Sequence, residues 1–366
     1  MRVAFVMPGV GVVGRGAEAF VVEIAGELAG RGFEVELFCR GEAPLPHRRV
    51  RAVARDARWL ERAYSATRLG RKALDTLFLD PVSVEWGTAA LSAFPGLWRG
   101  GYDVVVMEGG LVGAWLARLL RRLRGTPFVD VAHGVDPKWE GAFARQRPDR
   151  VVTFTRAAAE TIGALAPRAR IAVIPHGVDL DRFRPDVAPA ETGLPRPVVL
   201  VAGAVDEHKR TELAVEAVAR LGERGTAASL LVLGDGPRAA AVDRLAAERL
   251  GDGRYLRRTV PRAGMPAAYA AADVFTLPSR SESFGLGYLE AMACGLPCVA
   301  PGDPVRREVL GEAGLYCDVA DPGAYAAALG EALGRAWGEV PRRRAERFPL
   351  AAAAGGWERL LREVAG

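Results

Sequence analysis

Lysine is scarce in this sequence. Lysine and arginine together number 49 among 366 residues, but lysine occurs only at Lys72, Lys138 and Lys209. The net charge of +5 and the pI of about 9.2 are modest for a chain of this length. They are compatible with an acidic ligand or an anionic membrane surface, but they do not indicate a protein that binds nucleic acid.

Cysteine and long hydrophobic runs are also scarce. The chain has 4 cysteines, and no second cysteine–histidine pair has the spacing of metal ligands, so we interpret them as buried free thiols. Free thiols favour a reducing compartment, and we predict a cytoplasmic protein. No segment has about 18 uninterrupted apolar residues, which argues against a transmembrane helix. The short apolar run at the N-terminus predicts a β-strand and not a signal peptide.

Both halves of the chain alternate between short apolar runs and segments with helical periodicity. In the first half, for example, "RVAFVM" precedes a glycine-rich loop and a predicted helix over Ala17–Ala29. Repeated β-α-β units with nearly continuous apolar strands indicate parallel sheets that are covered by helices on both faces. A chain of 366 residues is long for one core, so we predict an α/β protein with two Rossmann-like domains facing across a cleft.

The boundary between the halves is marked by the proline-rich segment Arg182–Pro197, which has no apolar period. We therefore predict an N-terminal domain over residues 1–184 and a C-terminal domain over residues 185–348. Residues 349–366 are predicted to form a last helix that packs back on the N-terminal domain, with Trp357 on its apolar stripe. The arginine-rich segment Arg40–Lys72 is interpreted as an irregular solvated surface or as a docking face for an anionic membrane or an acceptor.

The segment "SRSESFGLGYLEAMACGLPCVAP" places Glu282 and Glu290 on either side of a predicted helix start. Ligands of open α/β sheets bind beyond the carboxyl ends of the strands, and a helix N-terminus attracts phosphate. Carboxylates repel phosphate but accept hydrogen bonds from a diol, so two flanking glutamates fit the two sugars of a nucleotide sugar. The alternatives are a helix-dipole partner for Glu282 and an exposed helix residue for Glu290.

Several motifs in order along the chain resemble the retaining GT-B glycosyltransferases of family 4. Glu282 and Glu290 match the two ends of that family's E-x7-E motif, and "FGLGYLEAMACGLPCVA" continues as its members do. The segments "GRGAEAFVVEIAGELAGRGFEVELF", "VAHG", "IPHGVDLDRF" and "LLVLGDGP" look like further elements of the family, and the resemblance covers nearly the whole chain.

This resemblance implies roles for particular residues. Glu282 would contact hydroxyls of the transferred sugar, Glu290 would bind the ribose diol, and His133 would lie beside the reacting sugar. Lys209 would stabilise the charge of the leaving phosphate, so His133, Lys209 and Glu282 are the implied catalytic residues. The implied donor-binding residues are Gly16, Gly203, Lys209, Arg210, Glu282, Ser283, Phe284, Gly285, Leu286 and Glu290.

The chain departs from the family pattern at Ala204, where the family has an arginine that binds the donor diphosphate. Arg210 or Arg280 is a candidate to replace it. The D-x-D string Asp179–Asp181 lies in a turn before the linker, so we do not interpret it as a metal site, and we predict no metal. His176 is interpreted as a structural residue.

The resemblance implies a retaining glycosyltransferase that moves a sugar from a nucleoside diphosphate sugar, UDP- or GDP-linked, to a hydroxyl acceptor such as a glycan, a glycolipid or a small metabolite. It would need no cofactor beyond this co-substrate, and it would be cytoplasmic or peripheral to a membrane, with contact through the basic N-terminal domain. The alternatives are a sugar-nucleotide epimerase or phosphorylase of the same fold, or a degenerate subunit that only binds a nucleotide sugar.

Overall fold

The computed structural model describes residues 1–54, 57–65, 74–134 and 139–366. The chain forms two compact units, of which the first comprises Met1–Ile174 and Ala353–Gly366 and the second comprises Pro175–Ala352. Lys72 and Lys138 lie outside the described residues, as does part of the segment Arg40–Lys72. The domain limits at residues 184/185 and 348/349 stay predictions.

The first unit contains a parallel sheet of seven strands in the order β3-β2-β1-β4-β5-β6-β7. Its central strands are buried almost throughout, because apolar residues occupy both faces of the sheet. The strands are β1 (Arg2–Val6), β2 (Glu34–Cys39), β3 (His47–Arg49), β4 (Val104–Met107), β5 (Phe128–Val131), β6 (Arg150–Thr153) and β7 (Ile171–Val173). The helices are α1 (Gly16–Gly30), α2 (Arg58–Ser65), α3 (Pro81–Arg99), α4 (Leu111–Arg124), α5 (Trp139–Ala144) and α6 (Arg156–Leu165).

The second unit contains a parallel sheet of six strands in the order β10-β9-β8-β11-β12-β13. The strands are β8 (Val198–Ala202), β9 (Ser229–Leu233), β10 (Tyr255–Arg258), β11 (Val274–Thr276), β12 (Cys298–Pro301) and β13 (Gly314–Cys317). The helices are α7 (Thr211–Glu223), α8 (Ala239–Arg249), α9 (Met265–Ala270), α10 (Leu286–Ala293), α11 (Pro304–Leu310), α12 (Pro322–Gly334) and α13 (Val340–Ala345).

Both sheets have the strand order of a Rossmann fold, which reverses direction beside the first strand. In the first sheet the reversal lies between β1 and β4, and in the second it lies between β8 and β11, which pair in parallel. Loops at the carboxyl ends of these strands diverge and leave a crevice for a ligand. The prediction of two Rossmann-like α/β domains is confirmed.

The last helix, α14 (Leu350–Ala365), completes the first unit from the far end of the chain. The side chain of Trp357 is fully buried there, and its ring lies 6.1 Å from the Phe5 ring and 6.0 Å from the Phe20 ring. The prediction that this helix returns to the N-terminal domain is therefore confirmed.

Two details of the sequence interpretation change. The segment Arg40–Lys72 is not irregular throughout, because it contains β3 and α2. Strand β3 has only three residues and carries His47, Arg48 and Arg49, so it lacks the apolar alternation that identifies a strand. Cys39, Cys294 and Cys298 are buried free thiols, but Cys317 is only half-buried.

Candidate active site

Two loops in the second unit meet at the reversal point of the sheet, because they follow the paired strands β8 and β11. Within the first loop, the Asp206 carboxylate accepts hydrogen bonds from the backbone N–H groups of His208 and Lys209. The backbone N–H of Arg280 donates to the carbonyl of His208 at 2.9 Å. These bonds give both loops a defined conformation.

Glu282 and Lys209 form an ion pair between these loops. The Lys209 ammonium (Nζ) lies 2.6 Å from Oε1 of Glu282, and the Ser279 hydroxyl donates to the same oxygen at 2.6 Å. Within the described residues, Oε2 of Glu282 accepts no hydrogen bond. One carboxylate oxygen thus holds both Lys209 and Ser279.

Arg306 stabilises the second loop, which follows β11, through hydrogen bonds to Ser279. Its side chain is 1% exposed, and its guanidinium donates to the backbone carbonyl of Ser279 at 2.8 Å and to the Ser279 hydroxyl at 2.6 Å. It is also paired with Asp303. A buried cation is therefore linked to Glu282 through a single serine.

The electrostatic surroundings keep Glu282 ionised. Burial raises the pKa of Glu282, but the charge and hydrogen bond of Lys209, the hydrogen bond of Ser279 and the charge of Arg306 lower it by more. The net effect holds the pKa below the ordinary value of 4.5. An ionised carboxylate accepts hydrogen bonds and cannot donate a proton, which fits hydroxyl recognition.

Glu290 lies one turn inside α10 and is 2% exposed. One of its oxygens is paired with Arg262, and the other accepts a hydrogen bond from the Tyr269 hydroxyl at 2.9 Å. The expectation of an exposed helix residue is therefore excluded. A ribose diol at this glutamate would have to use the remaining lone pairs or displace Arg262.

Gly285 begins α10 in the left-handed conformation, with a φ of +88°. A Cβ at this position would lie 2.7 Å from Cδ2 of Tyr288, so the turn requires glycine. Phe284 is buried against His176, with the two rings 5.3 Å apart, which agrees with a structural role for His176. Ser283 and Leu286 are partly exposed on either side of this turn.

Three cations, Lys209, Arg210 and Arg280, lie in the two loops that follow β8 and β11. Lys209 is paired with Glu282, and Arg210 donates to the backbone carbonyl of Pro278 at 2.8 Å, which stabilises the loop. Arg280 is different, because its side chain is 60% exposed and its nearest carboxylate, Glu207, is 3.9 Å away. Of the two candidates for the missing arginine, Arg280 has the greater freedom to reach a ligand. Gly203 directly follows β8, and a Cβ at this position would lie 3.7 Å from Cε of Lys209.

The first unit presents His133 beyond the end of β5. Its Nε2 lies 2.6 Å from Oε2 of Glu108, whose side chain is fully buried. Burial lowers the pKa of His133, but the hydrogen bond and charge of Glu108 and the charges of Glu140 and Glu18 raise it, with a net upward shift. The ring is thus oriented by a carboxylate that the sequence interpretation did not identify.

Other predicted positions lie elsewhere in the two units. Gly16 is the first residue of α1 and is exposed. Asp179 accepts hydrogen bonds from the backbone N–H groups of Asp181 and Arg182, so the D-x-D string forms a turn. The sequence interpretation missed Arg306, Arg262 and Glu108. Only Glu108 had a recognisable signal, since it is an acidic residue directly after a buried strand.

Family models match both units of the chain. The model described as "Glycosyltransferase Family 4" matches residues 14–182, and the one described as "Glycosyl transferases group 1" matches residues 196–335. A D-inositol 3-phosphate glycosyltransferase of Corynebacterium jeikeium is 30% identical over 100% of this chain and 97% of its own length. This chain belongs to glycosyltransferase family 4. It is a glycosyltransferase enzyme, as the ordered set of motifs along the chain predicted.

Further proteins resemble this family 4 glycosyltransferase. A GDP-mannose-dependent alpha-(1-6)-phosphatidylinositol monomannoside mannosyltransferase of Mycolicibacterium smegmatis is 33% identical over 60% of this chain and 64% of its own length. The solved sucrose-phosphate synthase of Thermosynechococcus elongatus has a TM-score of 0.78 at 21% identity, over 99% of this chain and 98% of its own. Anabaena HepE, solved with UDP-glucose, has a TM-score of 0.74 at 15% identity, over 99% and 100% of the two chains.

Proposed function

We propose that the protein transfers a sugar from a nucleoside diphosphate sugar to a hydroxyl acceptor with retention at the anomeric carbon. The observation that carries this proposal is the pair of glutamates around the start of α10, of which Glu282 is half-buried and paired with Lys209 and Glu290 is buried. Glu282 would accept sugar hydroxyls through its remaining oxygen, Glu290 would bind the ribose diol, and the helix N-terminus would face the phosphates.

In the proposed reaction, the bond between the anomeric carbon and the leaving phosphate breaks, and a bond to the acceptor oxygen forms on the same face. The leaving phosphate takes the proton of the acceptor hydroxyl. Lys209 and Arg280 would stabilise the charge that develops on the phosphate, and His133 would contact the transferred sugar. The proposed reaction uses no metal and no cofactor other than the donor.

The names of the relatives indicate which donors and acceptors to test first. One relative is named for GDP-mannose and a structural neighbour was solved with UDP-glucose, so UDP- and GDP-sugars are the donors that we propose first. Relatives are named for inositol 3-phosphate and for an inositol lipid, so a phosphorylated polyol or its lipid is the acceptor that we propose first. A thermal-shift screen of UDP- and GDP-sugars would identify the donor, because a ligand that binds the native state raises Tm.

Two variants separate the roles of the glutamates. Glu290→Ala is expected to weaken nucleotide binding by roughly tenfold or more, since the loss of a charged hydrogen-bond acceptor costs about 1.5–3 kcal/mol. Glu282→Ala is expected to lose sugar transfer while binding of the nucleotide alone is nearly retained. Calorimetric titration with the nucleotide and a transfer assay with NMR detection of the anomeric configuration would measure both effects.

Glu331→Ala is the matched control, because Glu331 is exposed and lies on α12, away from α10 in sequence. Equal nucleotide affinity in the native protein and in Glu290→Ala would contradict the ribose assignment. Formation of epimerised donor in the absence of an acceptor would favour the epimerase. Release of free sugar from the donor would count against a subunit that only binds it.

A further inference from the structure

Helix α4 (Leu111–Arg124) has two apolar faces, of which only one packs against the sheet and against α3. Its inner face consists of small and apolar residues that are buried: Gly113, Ala114, Ala117 and Leu120. On the outer face, Trp115, Leu119 and Leu123 recur every four residues and are 54%, 42% and 59% exposed. The outer face of a helix on a globular protein is normally polar, so this row requires an explanation.

The same outer face is positively charged. Helix α4 contains four arginines and no acidic residue. Arg121 is paired with Asp149, and Arg124 stacks over the Trp98 ring at 4.6 Å. Arg118 and Arg122 are exposed, and within the described residues they form no ion pair. They lie between the three large apolar residues, at positions that share one side of the helix.

We propose that the outer face of α4 docks on an anionic lipid surface, with the helix lying in the plane of the interface. Trp115, Leu119 and Leu123 would enter the boundary between headgroups and acyl chains, where tryptophan is favoured. The long stems of Arg118 and Arg122 allow their charged groups to reach lipid phosphates on either side.

The charge pattern favours a lipid surface over a second copy of this chain. In a two-fold symmetric contact the same face meets itself, so the arginines of one copy would approach those of the other. An anionic lipid surface has complementary charge along the whole helix. The sequence suggested the arginine-rich segment Arg40–Lys72 as the docking face. Its residues Arg40, Arg48 and Arg49 are already paired with Glu85, Glu36 and Glu42, so they are less available to lipid phosphates than Arg118 and Arg122.

Sedimentation with sucrose-loaded vesicles tests the proposal. The native protein is expected to bind vesicles of equimolar phosphatidylglycerol and phosphatidylcholine and to ignore vesicles of phosphatidylcholine alone. The variant Arg118→Gln/Arg122→Gln is expected to bind roughly fivefold more weakly for each arginine removed. Trp115→Ser/Leu119→Ser is expected to weaken binding by roughly tenfold or more. All variants should keep the native Tm, because these side chains are exposed.

Arg244→Gln/Arg359→Gln is the matched control. It removes the same charge from two exposed arginines that form no ion pair within the described part of the chain. The proposal is overturned if the native protein ignores anionic vesicles, or if the control loses binding as much as the α4 variants. It is also overturned if light scattering shows a dimer that Leu119→Ser disperses, since the face would then join two copies. Sugar transfer to a soluble acceptor should be unchanged in the α4 variants. A failed transfer assay would therefore contradict the proposed function, whereas a failed vesicle assay would contradict only the docking of α4 on lipid.

Discussion

Arg306 supports the loop beneath Glu282 and contributes to the charge that keeps this glutamate ionised. We expect Arg306→Met to destabilise the protein by about 2–4 kcal/mol, because buried hydrogen bonds to a charged group are lost. The pKa of Glu282 should rise, since one of the charges that lower it is removed. A carboxylate whose pKa is lowered by folding stabilises the protein at a pH above its pKa in the unfolded state. This stabilisation is lost as the pH falls through its pKa in the folded state. The acidic limb of the kcat–pH profile should therefore move to higher pH.

Arg307→Met provides the control for this prediction. Arg307 is the next residue on α11, but it is exposed and donates to the carbonyl of Gly302. Its removal should leave the acidic limb in place and change the free energy of unfolding by well under 1 kcal/mol. An unchanged acidic limb in Arg306→Met would show that Arg306 has a structural role only.

Single residues differ in how far the sequence can identify their roles. Glu282 and Glu290 are recognisable because the sequence around them has a local pattern. An apolar strand is followed by a turn of small residues and then by a segment with helical periodicity. Arg306 contacts Ser279, which is 27 residues away in sequence, and Glu108 contacts His133, which is 25 residues away. No local pattern encodes such a contact, so the sequence could not identify which cation or carboxylate would be adjacent.

At the scale of elements, the start of α10 depends on Gly285. We expect Gly285→Ala to cost about 2–4 kcal/mol, because the new Cβ would overlap Tyr288 in addition to the strain of a left-handed φ. Tyr288 cannot move away, since it is fully buried and its hydroxyl donates to the carbonyl of Leu277 at 2.6 Å. The displaced helix start should also weaken nucleotide binding, as measured by calorimetry.

The other end of the same helix offers a matched control. Gly295 has a similar φ of +84°, but its Cβ would have an ordinary contact of 3.5 Å with Pro185. Gly295→Ala should therefore show the conformational strain alone, about 1 kcal/mol, with native nucleotide affinity. Equal losses in the two variants would mean that the overlap with Tyr288 has no effect.

Elements with a strong period were predictable, and short polar elements were not. The predicted helix Ala17–Ala29 is observed as Gly16–Gly30, because its apolar residues recur at helical spacing and the next residues close it. Strand β3 pairs with β2, but its three residues are all polar, so no apolar alternation in the sequence marks its place in the sheet. The exposed apolar row of α4 becomes visible only when the buried face of the helix is known.

The whole molecule has a first unit that the chain completes last, because residues 353–366 belong with residues 1–174. A chain that ends at Ala352 lacks Trp357, and the rings of Phe5 and Phe20 lose their buried partner.

We expect Trp357→Ala to lower the free energy of unfolding by about 3–5 kcal/mol and truncation at Ala352 to lower it further. Hydrogen exchange should accelerate across residues 1–174 and stay slow in the sheet of the second unit. Arg359→Ala, at an exposed position of α14 that forms no ion pair within the described part of the chain, should exchange like the native protein. Uniform acceleration across both units in the truncated chain would show that the two units unfold as one, and would contradict the separate dependence of the first unit on its last helix.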